Sequence, residues 1–164
     1  MKTDKKRNSM RKRDKLPYEN GTWFAVPLRT GGFAIGIVAR NDGKGIVVGY
    51  FFGTRHKVLP TISDIQKLLP DQAILVCRFG NLGLLDKGWP ILGKSQTWSA
   101  TQWPIPVFAR FDGINDDIAW KVSYSDDLSL VSENSTSAEN AIQLPSNGLF
   151  SAGAVEIRLT KLLA

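Results

Sequence analysis

A chain of 164 residues, 43% of them hydrophobic and 22% charged, is long enough to bury one sizeable core and too short for two domains. Its apolar residues fall in short runs, none near the about eighteen that a membrane span needs. Its one cysteine, Cys77, excludes an internal disulfide framework and a Cys-rich zinc site, and a protein kept in the reducing cytoplasm is expected.

The leader MKTDKKRNSMRKRDK comes first. It carries eight Lys or Arg against Asp4 and Asp14, the whole of the net charge of +6, since the remainder balances thirteen basic against thirteen acidic residues. With almost no apolar side chains to offset the entropy of ordering, residues 1–16 are expected to be a disordered basic leader and residues 17–164 a single domain. Such a tail offers a contact for nucleic acid or an acidic partner, or serves only to solubilise. It has no aromatic residue to stack on bases.

Three apolar, β-branched and aromatic runs follow in TWFAVPLRTGGFAIGIVARNDGKGIVVGYFFG, closed by RTGG, NDGKG and Gly53. This is the pattern of an antiparallel meander. In GFAIGIVAR the set Phe33, Ile35, Ile37, Ala39 alternates with Ala34, Gly36, Val38, Arg40, so both faces are partly covered and Gly36 marks a bend or a close backbone approach. A curled, barrel-like sheet is expected. After Pro60, Thr61 and Asp64 have capping-box spacing, and Ile62, Ile65, Leu68 and Leu69 share one face of a helix of about two turns that Pro70 ends. The strand QAILVCRF comes next, with Cys77 as a small buried apolar residue.

The segment RFGNLGLLDKGWPILG, residues 78–93, reads as a packed connection. Gly80, Gly83, Gly88 and Gly93 permit left-handed and tight conformations, and Leu82, Leu84, Leu85, Trp89, Ile91 and Leu92 supply apolar area to fold onto the sheet. Trp98 and Trp103 follow, which places three of the five Trp in one region, at least two of them in the core. TQWPIPVFARF is a further strand, with Pro104 and Pro106 marking an edge or a bulge. Beyond it IAWKVSY is a strand, LSLVS a weaker one, and residues 132–140 a Ser/Thr/Asn-rich loop. AVEIRLTKLL fits a strand or a helix face, a short terminal helix being the reading taken. The fold class is mostly β: a single domain built on an antiparallel bent sheet or open barrel with one or two short helices.

Groups that carry chemistry are scarce. His56, the one histidine, sits in GTRHKVL with no Ser, Cys or Asp in a recognisable motif, and reads as solvated surface. One His and one Cys cannot build the usual metal-ligand sets, and RTGGFAIG lacks the Lys-Ser/Thr pair of a phosphate loop. No cofactor is expected. Asp112, Asp116, Asp117, Asp126, Asp127 and Glu133 crowd into twenty-two residues beside a single Lys121, without the ligand alternation of a calcium loop. They form a solvated rim or an acidic patch that meets a basic partner.

The order PLRTGGFAIGIV, YFF, a short helix, RFGNLGLLDKGWPILG and WPIPVF resembles the immunity protein 26 family of bacterial polymorphic toxin systems, over roughly residues 22–111. Gly80, Gly83, Leu84, Gly88, Trp89, Gly93, Trp103 and Pro104 match its recurrent positions and look structural as much as functional. The resemblance implies a mostly β, non-catalytic cytoplasmic protein whose partner is a cognate toxin that it binds and neutralises. The alternative is a nucleic-acid-associated β-barrel module using the basic tail. The partner surface expected from the charge pattern is Asp112, Asp116, Asp117, Asp126 and Asp127.

Overall fold

The structure is a computed structural model that describes residues 15–86 and 88–164. The expected basic leader therefore lies outside the described residues except for Lys15 and Leu16, and Leu16 packs against the core. In chain order the elements are β1 (Thr22–Pro27), β2 (Phe33–Asn41), β3 (Ile46–His56), α1 (Ile62–Ile65), β4 (Leu75–Gly80), α2 (Leu82–Leu85) and β5 (Ile91–Lys94). There follow β6 (Phe108–Phe111), β7 (Ile118–Tyr124), β8 (Leu130–Ser137), α3 (Ala138–Ala141), β9 (Leu149–Phe150) and α4 (Ala152–Leu162).

Strands β1, β2 and β3 form the expected antiparallel meander. Around it a six-stranded sheet builds in the order β5-β1-β2-β3-β4-β9, with β9 parallel to β4, while β6-β7-β8 form a separate three-stranded antiparallel sheet. The larger sheet stays open. Its strands are apolar on both faces because both faces are covered, and the period-two alternation assigns each residue to its side. Phe24, Val26, Ala34, Val38, Val47, Phe51 and Phe79 pack with Leu84 of α2, Trp89, and Val155 and Leu159 of α4. On the other face Trp23, Ala25, Ile35, Ile37, Val48, Tyr50 and Phe52 meet Ile65, Trp103, and Phe108 and Val122 of the small sheet. Gly36 is a point of close approach, since a Cβ there would lie 2.5 Å from the Phe24 ring.

Several local expectations change. The Thr61–Asp64 capping box is present, but α1 is a single turn and Pro70 opens a 3-10 turn, Pro70–Gln72. Within TQWPIPVFARF only Phe108–Phe111 is strand, because Pro104 and Pro106 have no N–H to donate to a ladder. Residues 132–137 are not a loop: β8 runs through them, since pairing with β7 from Ile118↔Ser137 to Ser123↔Ser132 outweighs their polar composition. The 78–93 segment is more than a connection, for it ends β4, makes the turn of α2 and adds β5 to β1. Among its four glycines only Gly93, at φ +147°, occupies a conformation that disfavours a side chain. Trp89 and Trp103 are both buried, but in the clusters on opposite faces of the large sheet, so the three tryptophans do not share one region. The ambiguous C-terminal segment is helical: Ser151 caps α4 by accepting from the Ala154 N–H, and the helix has a sheet face on which to bury Val155 and Leu159.

Candidate functional site

Leu84, Trp89 and Trp103 of the glycine and tryptophan block are buried in the clusters on the two faces of the large sheet. Trp89 stacks on Phe24 at 5.7 Å and 6°, and its indole N–H donates to Glu156 Oε2 at 2.8 Å, tying the segment before β5 to α4. Gly83 lies under that ring, where a Cβ would come within 2.5 Å, and Leu84 is buried beside it. The Gly88 N–H donates to Asp86 Oδ1, Gly93 pairs with Trp23, and Gly80 ends β4 with open space where its Cβ would be. Trp103 meets Trp23, Tyr50 and Phe52 edge-on, and the Tyr50 hydroxyl donates to the carbonyl of Pro104.

Residues with reactive potential stand apart. Cys77 is buried in β4 and burial pushes its thiol well up, which keeps it protonated. His56 ends β3 opposite Phe33. Among the described residues no group of three or more His, Cys, Asp or Glu is placed to hold a metal ion, and no helix is long and apolar enough to cross a membrane.

The five predicted acids fall into two sets. Asp112, Asp116 and Asp117 occupy the β6–β7 turn, where Asp112 Oδ1 accepts from the Ile114 N–H and Asn115 Oδ1 from the Asp117 N–H. Asp126 and Asp127 occupy the β7–β8 turn. The length of β7, about 20 Å at strand rise, separates the sets, so they are not one patch. They bracket the β7–β8 hairpin.

The β7–β8 turn is built tightly. Asp127 Oδ1 accepts from the Ser125 hydroxyl and the Ser129 N–H, which holds its carboxyl down at about 2. Leu128 turns the chain at φ +64°, and its N–H donates to the Ser125 carbonyl. Asp126 accepts from Arg40 Nε at 3.0 Å; its side chain is 80% exposed while that of Arg40 is 3% exposed. Arg40 also donates to the carbonyls of Ala39 (2.7 Å), Trp103 (2.8 Å) and Ala100 (3.1 Å) and lies over the Trp98 ring. Sequence reading missed this anchor. Its one signal was a lone Arg inside the apolar run GFAIGIVAR, a charge that must find partners if the strand is buried. Arg40 thus joins β2, the 98–104 segment and the tip of the small sheet.

Beyond that anchor the hairpin faces outward. Strand β8 is the last strand of its sheet, and Leu130, Val131, Glu133, Asn134, Ser135 and Ser137 are all exposed. Arg110 of β6 reaches Glu133 at 3.4 Å.

No curated protein and no solved structure matches this chain. The pattern of a family described as Immunity protein 26 matches residues 19–120, from just before β1 to the middle of β7. That span holds the meander, the Gly83–Trp89 contact, Trp103 and Arg40, which are the interactions that make the scaffold. On this match over more than half of its length, the chain belongs to the Immunity protein 26 family.

Proposed function

We propose that the protein neutralises a cognate toxin by binding it, in the cytoplasm of the cell that makes both, and performs no catalysis of its own. The toxin is held at the acidic β7–β8 hairpin. The observation that carries this reading is the charge of residues 112–140, seven carboxylates against Lys121 alone, displayed on a hairpin whose outer strand is exposed. The family match ends at residue 120, so β8 and the turn before it lie outside the shared span and are free to suit one toxin. A family of immunity proteins has toxins as its partners in general.

Acids on an exposed hairpin act mainly through encounter rate and specificity, because they steer a basic partner and are screened by salt. Replacing Asp116→Asn and Asp117→Asn together is expected to leave the melting temperature unchanged. It should slow association with the cognate toxic domain about tenfold at low salt, with the difference shrinking at high salt. Stopped-flow association at two ionic strengths reads this directly. An unchanged association rate with unchanged salt dependence removes the acids of the β6–β7 turn from the toxin surface.

A further inference from the structure

We infer that the outer edge of β8 is a pairing edge, at which an extended basic segment of the toxin adds as a fourth strand to the β6-β7-β8 sheet. This rests on the toxin-binding reading above and specifies its mode.

The argument begins with how each sheet edge is treated. An open strand edge presents unpaired N–H and C=O groups, and proteins blunt such edges with short strands, lysines, prolines, bulges or covering segments. The β5 edge of the large sheet is four residues long, carries Gly93 at φ +147° and Lys94, and pairs across a register shift between Trp23 and Phe24. Its other edge, β9, is two residues. In the small sheet β6 is covered by the 145–147 segment, since the Ala109 N–H donates to the Pro145 carbonyl and the Ala109 carbonyl accepts from Asn147. Among the described residues no segment covers strand β8, and it is neither short nor guarded by lysine or proline. It is eight residues of sequence LVSENSTS, with no Lys, Pro or Gly, and its one irregularity lies at its start, opposite Ser123 and Tyr124.

The ladder tells which groups are open. The Ala138 N–H donates to the Asp117 carbonyl, and Thr136 and Asn134 lie opposite Ala119 and Lys121 in register, so alternation turns the main chain of residues 134 and 136 toward β7. The main-chain groups of Glu133, Ser135 and Ser137 then point away from the sheet, toward the open side. An extended peptide can meet all of them with backbone hydrogen bonds.

Charge selects the occupant. Asp126 and Asp127 stand at the start of β8, Glu133 within it, and Asp116, Asp117 and Glu139 at its end. A second copy of this chain pairing antiparallel along β8 would bring acids against acids, which is unfavourable. A strand carrying Lys or Arg finds opposite charge at both ends of the edge and at Glu133 within it.

The test is backbone hydrogen exchange by NMR on the full chain, alone and with the cognate toxic domain. The Glu133, Ser135 and Ser137 amides are expected to exchange freely in the unbound protein and at least about tenfold more slowly in the complex. Ser135→Pro, which deletes an outward N–H while sparing the ladder to β7, should keep the melting temperature and weaken binding about tenfold or more. A complex in which those amides exchange as in the free chain overturns the strand addition but leaves toxin binding standing. Failure of the unaltered chain to bind removes both readings. Amides already slow in the free protein, together with a dimer mass by light scattering, assign the edge to a second copy and likewise overturn the inference. Should Ser135→Pro fail to fold, exchange in the unaltered chain decides alone.

Discussion

Replacing Trp89→Ala tests the packing on which the scaffold depends. The indole is 1% exposed, stacked on Phe24 at 5.7 Å and tilted against Phe79 at 5.6 Å. Truncating a buried Trp costs about 3–5 kcal/mol from lost transfer energy and the cavity left behind. The cavity here cannot close cheaply, since one wall is the α2 turn at Gly83, which has no side chain to move in, and the others are aromatic rings held in the sheet. The lost indole bond to Glu156 adds about 1 kcal/mol. Glu156 keeps its ion pair with Arg29 at 3.1 Å, so no buried carboxylate is orphaned. The expected total is therefore at the upper end, about 4–5 kcal/mol, against a typical global stability of about 5–15 kcal/mol. For a chain of this size that lowers the melting temperature by about 8–20 °C. Urea denaturation followed by far-UV circular dichroism measures it as a fall in midpoint at constant slope. Trp89→Phe, which keeps a ring on Phe24 and loses the bond to Glu156, should fall between the two. A shift in Trp89→Ala worth less than about 1 kcal/mol would refute the reasoning, because the ring would then contribute little to the core.

Two further expectations concern the β7–β8 turn. Arg40→Met leaves the carbonyls of Trp103 and Ala100 without their donor and should cost at least about 2 kcal/mol, whereas Asp126→Asn, at an exposed carboxylate, should cost under about 1 kcal/mol; equal effects in urea titrations would mean that the ion pair and not the carbonyl bonds accounts for what Arg40 contributes. The Asp127 carboxyl sits at about 2, below the usual 3.8, so its stabilisation of the turn is complete above roughly pH 4 and is lost as the pH falls towards 2. A carboxyl-carbon NMR titration should show its midpoint near 2, and a midpoint near 4 would mean that the Ser125 and Ser129 bonds are not formed in solution.

The local features of this fold are written in local sequence. Strands β1 to β3 follow from apolar, β-branched and aromatic runs between glycine-bearing turns, and the Thr61–Asp64 cap from its spacing, because each depends on residues a few positions apart. The acids could be placed in turns for the same reason. What local pattern leaves open is which surface a segment meets. Val155, Leu159 and their neighbours suit a strand or a helix until the large sheet offers α4 a face. Trp89 and Trp103 are close in sequence yet fall in clusters on opposite faces of that sheet. Arg40 reads as one polar residue in an apolar strand, since its partners at Ala100, Trp103 and Asp126 are 60, 63 and 86 residues away. The Ser/Thr/Asn-rich run of β8 becomes strand only through pairing with β7. Its open edge is likewise a tertiary fact: whether a strand has a neighbour depends on the order β6-β7-β8 and not on the residues within it.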